Sequence, residues 1–531
     1  MADYDYIIAG GGTAGCILAD RLTASGQYRV LLLEAGRETR SMWVQIPAGF
    51  SKLMTNPRFN WGFQTEPEDN VHGRTIAVPR GKGLGGSTLI NGMIYVRGQS
   101  QDYDAWQAAG AQGWGFDEVE PYFRKLENYA RGEESRGKNG PMYLEQVAER
   151  FPIADAFLKA AGEDGQPWND DYNAGNQEGF GYYQVAQHKG RRWSVVDGYL
   201  RPARHRKNLV IESGAHIQRL IFDGKRCTGL VYRKDGQELT VKASREILLC
   251  MGAIQTPQLL ELSGVGDPEV IQAQGIPLVH VLKGVGGNYI DHFATRMNWR
   301  VRNTITLNEM SRGLPLARQV VRYYLQRKGI LTLGTGLVHG FVKTSEQLQA
   351  PDVQYFFVHA SYANAANRVL DKEPGMTIGV AQLRPESRGS IHIKSPHPLD
   401  GPAIRPNFLD AAADRDSLVK GMQIARRIVG QPAMQRYVSY EMNPGKEVNT
   451  FDEWLEFARN TGQTIYHPIG TCRMGMDDNA VTDPRLRVRG IEGLRVVDAS
   501  VMPLMVSGNT QAAVMMVAEK GADMILQDAK V

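Results

Sequence analysis

The chain opens with Asp5-Tyr6-Ile7-Ile8-Ala9, an apolar run with the length and composition of a buried strand. A glycine turn follows, then a helical stretch from Thr13 to about Leu22 and a second apolar run from Tyr28 to Glu34, so the pattern predicts a βαβ unit. Residues 100–130 alternate as polar-faced helices through Asp102, Tyr103 and Trp106 and then from Phe116 to Leu126. The charged, glycine-containing stretch Arg131 to Pro141 is predicted to be a boundary loop. Strand-like runs recur at Leu209 to Glu212, Gln218 to Phe222, Thr228 to Tyr232 and Glu246 to Cys250. From 296 to 410 the runs Leu337 to Val342, Val353 to Val358, Met376 to Leu383 and Gly389 to Ile393 are broken by Pro and Gly, the pattern of a more antiparallel sheet. Gln511 to Leu526 reads as a helix, and no internal repeat is evident.

At 531 residues the chain exceeds what one core normally organises, which predicts two closely connected domains and excludes a small binding module. Its formal charge of +4 is too small for a dedicated nucleic-acid binder. Four scattered cysteines (Cys16, Cys227, Cys250 and Cys472) offer neither a CxxC pair nor a zinc site, and a reducing cytoplasm is expected. The N-terminus lacks the basic flank and apolar length of a signal peptide, and no apolar run is long enough to span a bilayer. Between Arg312 and Lys328, however, basic residues interleave with Leu316, Val320, Val321 and Leu325, which can be drawn as a basic amphipathic helix. That leaves open a peripheral contact with the inner face of a membrane; an ordinary surface helix covering a core has the same pattern. Glycine is the compositional outlier, with 58 residues against about 37 at background usage.

Much of that excess lies in motifs. Gly10-Gly11-Gly12-Thr13-Ala14-Gly15 fits GxGxxG between strand and helix, and Glu34 closes the second strand. In that geometry Gly10 makes the tight turn, Gly12 lets backbone approach a pyrophosphate, Gly15 permits close packing of the helix, and Glu34 can accept from an adenosine ribose. The motif does not separate FAD from NAD. A second glycine loop runs Gly81-Lys82-Gly83-Leu84-Gly85-Gly86-Ser87-Thr88-Leu89-Ile90-Asn91, and a third segment runs from Gly252 through Gln255-Thr256-Pro257 to Gly266. Two more follow: Gly284-Val285-Gly286-Gly287-Asn288-Tyr289-Ile290-Asp291-His292, and the C-terminal His467-Pro468-Ile469-Gly470-Thr471, Val496-Val497-Asp498-Ala499 and Gly508-Asn509-Thr510.

In order and spacing these segments resemble the glucose-methanol-choline (GMC) oxidoreductase family over essentially the whole chain. The neighbourhoods Trp61-Gly62-Phe63 and Arg97-Gly98 look closest to its alkanol, choline and sorbose dehydrogenase branch. The resemblance implies an α/β fold, α+β overall: a discontinuous Rossmann-like FAD-binding domain (1–155, 210–295 and 455–531) and a substrate-binding domain on a largely antiparallel sheet (156–209 and 296–454). It implies that Gly10, Gly12, Thr13, Ala14, Gly15, Glu34, Ala35 and Ile217 hold the ADP half. Gly85, Gly86, Asn91, Gly92 and Met93 would run along the isoalloxazine ring, with Asp498 and Ala499 at the ribityl and pyrophosphate. Members with covalent flavin carry a histidine just before the asparagine of the second glycine loop; Ile90 stands there, so noncovalent FAD and no metal are expected.

The implied reaction is oxidation of an alcohol, taken to be primary, to an aldehyde. Hydride leaves carbon readily only as the hydroxyl proton is removed, so a base is required, and imidazole suits the task. His467, in Tyr466-His467-Pro468, matches the family's catalytic histidine, and the position 44 residues later, where the family places a second hydrogen-bonding side chain, is Gln511. Asn509 or a water is the alternative for that contact. Asp291 and His292 are expected to fix their loop. The acceptor is expected to be a quinone or other carrier; an oxygen-using oxidase is the alternative, and a non-redox use of the scaffold, as in hydroxynitrile lyases or a photodecarboxylase, is a further one.

Overall fold

A computed structural model describes residues 3–38, 41–364 and 368–530. The N-terminal βαβ unit is present as the strand Tyr4–Ala9, the helix Thr13–Thr23 and the strand Val30–Glu34. Both strands are buried almost throughout, as strands covered on two faces must be. Leu209–Ser213, Val30–Glu34, Tyr4–Ala9, the end of Gln237–Leu249 and Leu494–Val496 form the parallel part of one sheet. His216–Asp223 and Arg226–Lys234 extend it as an antiparallel ribbon.

The second sheet is antiparallel throughout its main path: Val438–Asn443, Phe293–Val301, Gly375–Gln382, Val353–Val358, Val338–Val342 and Gly179–Tyr182. Ser390–His392, expected within it, pairs separately with Ala403–Arg405. Side chains of the two sheets share one continuous apolar core, from Ile7 and Leu248 to Ile378 and Phe357.

Two expected boundaries are displaced. The break at 295/296 falls inside the strand Phe293–Val301 and that at 454/455 inside the helix Phe451–Thr461. Gln463–Thr464, expected on the cofactor side, pairs with Phe293 and Ala294 and so belongs to the antiparallel sheet. The glycine-rich segment Gly284 to Gly287 lies ahead of the strand Phe293–Val301 rather than at the expected break, so composition does not mark where the chain changes sheets. Nor is the loop Arg131 to Pro141 a loose boundary. Arg136 within it is fully buried, donating to Glu127 at 2.9 Å and to Asp171 at 2.5 Å.

His359 shows the cost of a buried imidazole. It is stacked on Phe151 with ring centroids 3.8 Å apart, and neither ring nitrogen has a partner among the described residues. Burial pushes its pKa down to about 3. Because that lies below the unfolded value of about 6.5, the stability it permits is complete above pH 6.5 and is lost as pH falls towards 3. Wild type should therefore lose about 2–3 kcal/mol at pH 4.5 that His359→Leu keeps. Melting temperatures of both proteins at neutral and acid pH check this: the variant's advantage must grow on acidification.

Candidate functional site

A long cavity runs between the sheets from the N-terminal glycine turn to His467. At its inner end the helix Thr13–Thr23 starts without a side-chain cap, so its first amides open towards the cavity as an anion site. Gly10 adopts φ +104, and a Cβ on Gly15 would lie 1.9 Å from the Gly10 carbonyl oxygen, so the helix packs on the turn as expected. The second glycine loop meets the first directly: the amide of Gly85 donates to the Gly11 carbonyl, and a Cβ on Gly86 would fall 2.8 Å from Gly12 Cα. Gly12, Thr13, Ala14, Ala35, Gly86, Asn91, Gly92, Met93 and Ile217 all line the cavity; Gly15 and Gly85 support its wall from behind.

The two carboxylates at this end differ in capacity. A carboxylate has about four acceptor sites. Glu34 accepts from the amides of Gly11, Gly36 and Gly83 at 2.7–3.0 Å, which leaves one site for a ribose hydroxyl. Asp498 accepts from the amide and hydroxyl of Ser500, the amide of Gly252 and the hydroxyl of Thr256, which fills all four. It therefore braces the cavity wall beside Ala499 and has no lone pair left for a ligand. The uncapped helix start, the paired glycine loops and the free site on Glu34 together fit the FAD implied by the sequence.

Beneath the second glycine loop sits a residue that sequence reading missed. The buried Arg192 guanidinium donates to the carbonyls of Val44, Thr88 and Asn91 and to Asn91 Oδ1, at 2.6–3.0 Å. Burial pushes its pKa down to about 9. Its anchoring role depends wholly on tertiary contacts and has no local signature.

At the other end, His467 follows Tyr466, whose φ of +74 is strained for a non-glycine residue. Asp291 holds this turn. Its carboxylate accepts from the His467 amide at 2.8 Å, from Thr464 Oγ1 and from the Tyr289 hydroxyl, in line with the loop-fixing role expected of it. His292 does more than fix the loop. Its Nε2 is 3.0 Å from the carbonyl oxygen of Leu383, and its Nδ1 is 3.0 Å from Nδ1 of His467.

A carbonyl can only accept, so His292 carries its proton on Nε2 and accepts at Nδ1. His467 must then donate from Nδ1, which leaves Nε2 unprotonated with its lone pair towards the cavity. The Asn509 amide nitrogen faces that lone pair at 3.2 Å, and Asn509 Oδ1 accepts from Gln354 Nε2 at 3.2 Å. Every link in this chain thus runs one way, from Gln354 to Leu383. Burial, then the charges of His292 and Arg80, hold the His467 pKa well below the ordinary value; burial puts His292 at about 4.

Gln511 is not opposite His467. Its side chain accepts from Asn91 Nδ2 at 3.4 Å and donates to Thr13 Oγ1 at 3.5 Å, bridging the two glycine-loop segments. The physical reason is the backbone: the chain turns at Gly508 (φ +140), so Asn509 faces the histidine, whereas Gln511 already sits in the first turn of the helix Gln511–Asp528.

The sequence matches two models of the GMC oxidoreductase family, over residues 4–294 and 385–518. It is 39% identical to an alcohol dehydrogenase [acceptor] of Pseudomonas putida, covering 99% of this chain and 96% of that one. It is 37% identical to the mitochondrial choline dehydrogenase of Homo sapiens, covering 98% and 90%. Among solved structures, pyridoxine 4-oxidase from Mesorbium loti superimposes with a TM-score of 0.89 at 30% identity, covering 98% of this chain and 99% of that one. Formate oxidase does so with a TM-score of 0.93 at 26% identity, covering 99% and 98%.

Proposed function

Because the chain belongs to the GMC oxidoreductase family, we propose that it oxidises a primary alcohol to an aldehyde with FAD, using His467 as the base. The observation that carries this reading is the unprotonated Nε2 of His467, fixed by the hydrogen bonds to His292 and Asn509. When bound, FAD supplies the two-electron oxidant that takes hydride from the carbinol carbon.

The residues do the rest. When the substrate hydroxyl displaces the Asn509 amide from His467 Nε2, that nitrogen accepts the hydroxyl proton and Asn509 donates towards the substrate oxygen in the place expected for Gln511, while Asp291 keeps the imidazole at the cavity wall. Glu34 and the amides after Gly12 hold the dinucleotide end, while Arg192 holds the Asn91 loop. In this reading segments 1–155, 210–295 and 455–531 carry the cofactor, apart from the strand and boundary corrections above. Purified yellow protein mixed anaerobically with alcohols tests the proposal. Bleaching of the flavin band is expected, and its absence with aliphatic, aromatic, sugar and amino alcohols alike would sink the reading.

Ile90, apolar at the cavity wall, supports noncovalent cofactor. Acid precipitation should leave all the yellow colour in the supernatant; colour in the pellet would show a covalent link. The acceptor is taken to be a quinone or another carrier, in keeping with the P. putida alcohol dehydrogenase [acceptor]; oxygen, which the related oxygen-dependent choline dehydrogenases are named for, is the alternative. A bleached sample that regains colour with a quinone faster than with air fits this.

The helix Gly313–Gln326 supports a membrane-side acceptor within a cytoplasmic protein. Leu314, Val321 and Leu325 are 56–79% exposed on one face with Arg318 between them, so this helix is not simply covering a core. No helix among the described residues is long and apolar enough to cross a membrane. Sedimentation with anionic vesicles should be lost in Leu325→Asp; equal sedimentation of both proteins counts against the contact.

A further inference from the structure

Two guanidiniums in the roof of the cavity have no part in the chemistry above. Arg296 lies on the strand Phe293–Val301 in register with Gly379, which in turn faces Phe356 across the next strand. All three line the cavity, and the glycine between them leaves the arginine and the ring as the row's only side chains there. Arg368 lines the same space from the edge of the short strand Val369–Leu370.

Neither arginine has a carboxylate partner among the described residues. Arg296 donates to Gln463 Oε1 at 2.9 Å, and both guanidiniums act electrostatically on the phenol of Tyr466, the residue next to the base. The Tyr362 phenol lies close enough to act on Arg368 as well, and the Arg368 Nε is buried without a partner among the described residues. Glu34 and Asp498 are the acidic residues lining the cavity among those described, and both are at the dinucleotide end, occupied with backbone amides.

Two like charges sharing a closed space without a counter-ion are costly. The cost shows in their neighbours. Burial, then the charge of Arg368, lowers the pKa of Arg296, whereas for Arg368 the phenols of Tyr466 and Tyr362 outweigh burial and raise it. Burial raises the Tyr466 phenol, but the two guanidiniums outweigh it and hold it below its ordinary value. Two guanidinium forks with phenolic hydroxyls beside them form a donor set matched to carboxylate, phosphate or sulfonate oxygens.

We infer that the substrate is an alcohol bearing an anionic group, held by Arg296 and Arg368 while its hydroxyl reaches His467. The inference rests on the alcohol-oxidising reading and names the class of alcohol. The anionic group is an anchor and keeps its own bonds. A quaternary ammonium alcohol such as choline, named for several relatives, would meet two cations here and no carboxylate.

The test uses anaerobic holoenzyme with ω-hydroxycarboxylates, hydroxyalkyl phosphates and hydroxyalkanesulfonates of increasing chain length, each against the matched neutral alkanol, and with choline. At least one anionic series should exceed its neutral match in kcat/KM by about 100-fold, and the three series separate the anion types. Arg368→Gln and Arg296→Gln should raise KM for that anion about 10-fold to 100-fold with kcat changed far less, and Arg368→Lys should recover part of the loss. Neutral alkanols or choline outperforming every anion would overturn the inference while leaving alcohol oxidation intact. If no alcohol bleaches the flavin, alcohol oxidation itself fails. The subsite is then judged by binding: saturated carboxylates, phosphates and sulfonates titrated against the oxidised flavin spectrum should bind wild type about 10-fold more tightly than Arg296→Gln. Equal or absent binding overturns it.

Discussion

His467→Ala slows bleaching of the bound flavin by alcohol about 100-fold to 10,000-fold and leaves FAD content unchanged. The first half follows from the unprotonated Nε2, since no other described side chain at that wall presents such a nitrogen next to Asn509. The second follows from location: the helix start at Thr13, Glu34 and the glycine loops, proposed to hold the dinucleotide, all lie away from His467. The pH profile adds a discriminating readout. A base works only when unprotonated, and burial together with the charges of His292 and Arg80 keeps His467 unprotonated well below its ordinary value. In wild type the acid limb of kcat/KM should therefore lie below pH 6.5. It should be missing from the residual activity of the variant. A wild-type rate in His467→Ala, or loss of FAD from it, would refute the assignment.

His292→Leu should lower kcat by about 10-fold to 1,000-fold with little change in KM or FAD content. Without the acceptor at His292 Nδ1, the His467 proton is no longer held on Nδ1, and the tautomer that points N–H at the substrate competes. His292→Gln should restore much of the rate, because its carbonyl oxygen can accept from the same N–H. A merely space-filling role predicts the opposite order, with leucine tolerated and glutamine not. Stopped-flow bleaching rates for the three proteins decide between them.

The contiguous parts of this site were legible in the sequence, and the discontinuous parts were not. The helix at Thr13, the glycine pairs and Glu34 lie in runs where strand, turn and helix follow one another, so spacing alone carried the geometry. Counting 44 residues from His467 led to Gln511, because chain distance says nothing about which way a side chain leaves a helix start; Gly508 turns Asn509 inward instead. Arg296 reads in sequence as one polar position in an alternating strand, and only register with Gly379 and Phe356 shows it facing a cavity. The link from His292 to Leu383 spans 91 residues and ends on a main-chain oxygen, a partner with no side-chain signature at all.

That last feature separates two things an enzyme of this kind must adjust. The proton on the base is assigned by a backbone carbonyl, which every amino acid at position 383 possesses, so no side-chain replacement there can erase it. The substrate choice proposed above, by contrast, rests on exchangeable side chains on the roof strands, among them Arg296, Phe356 and Thr377, which line the cavity. New alcohols can thus be accommodated by substitution of the roof while the protonation state of the base is inherited unchanged, which makes this scaffold open to redesign from one side only.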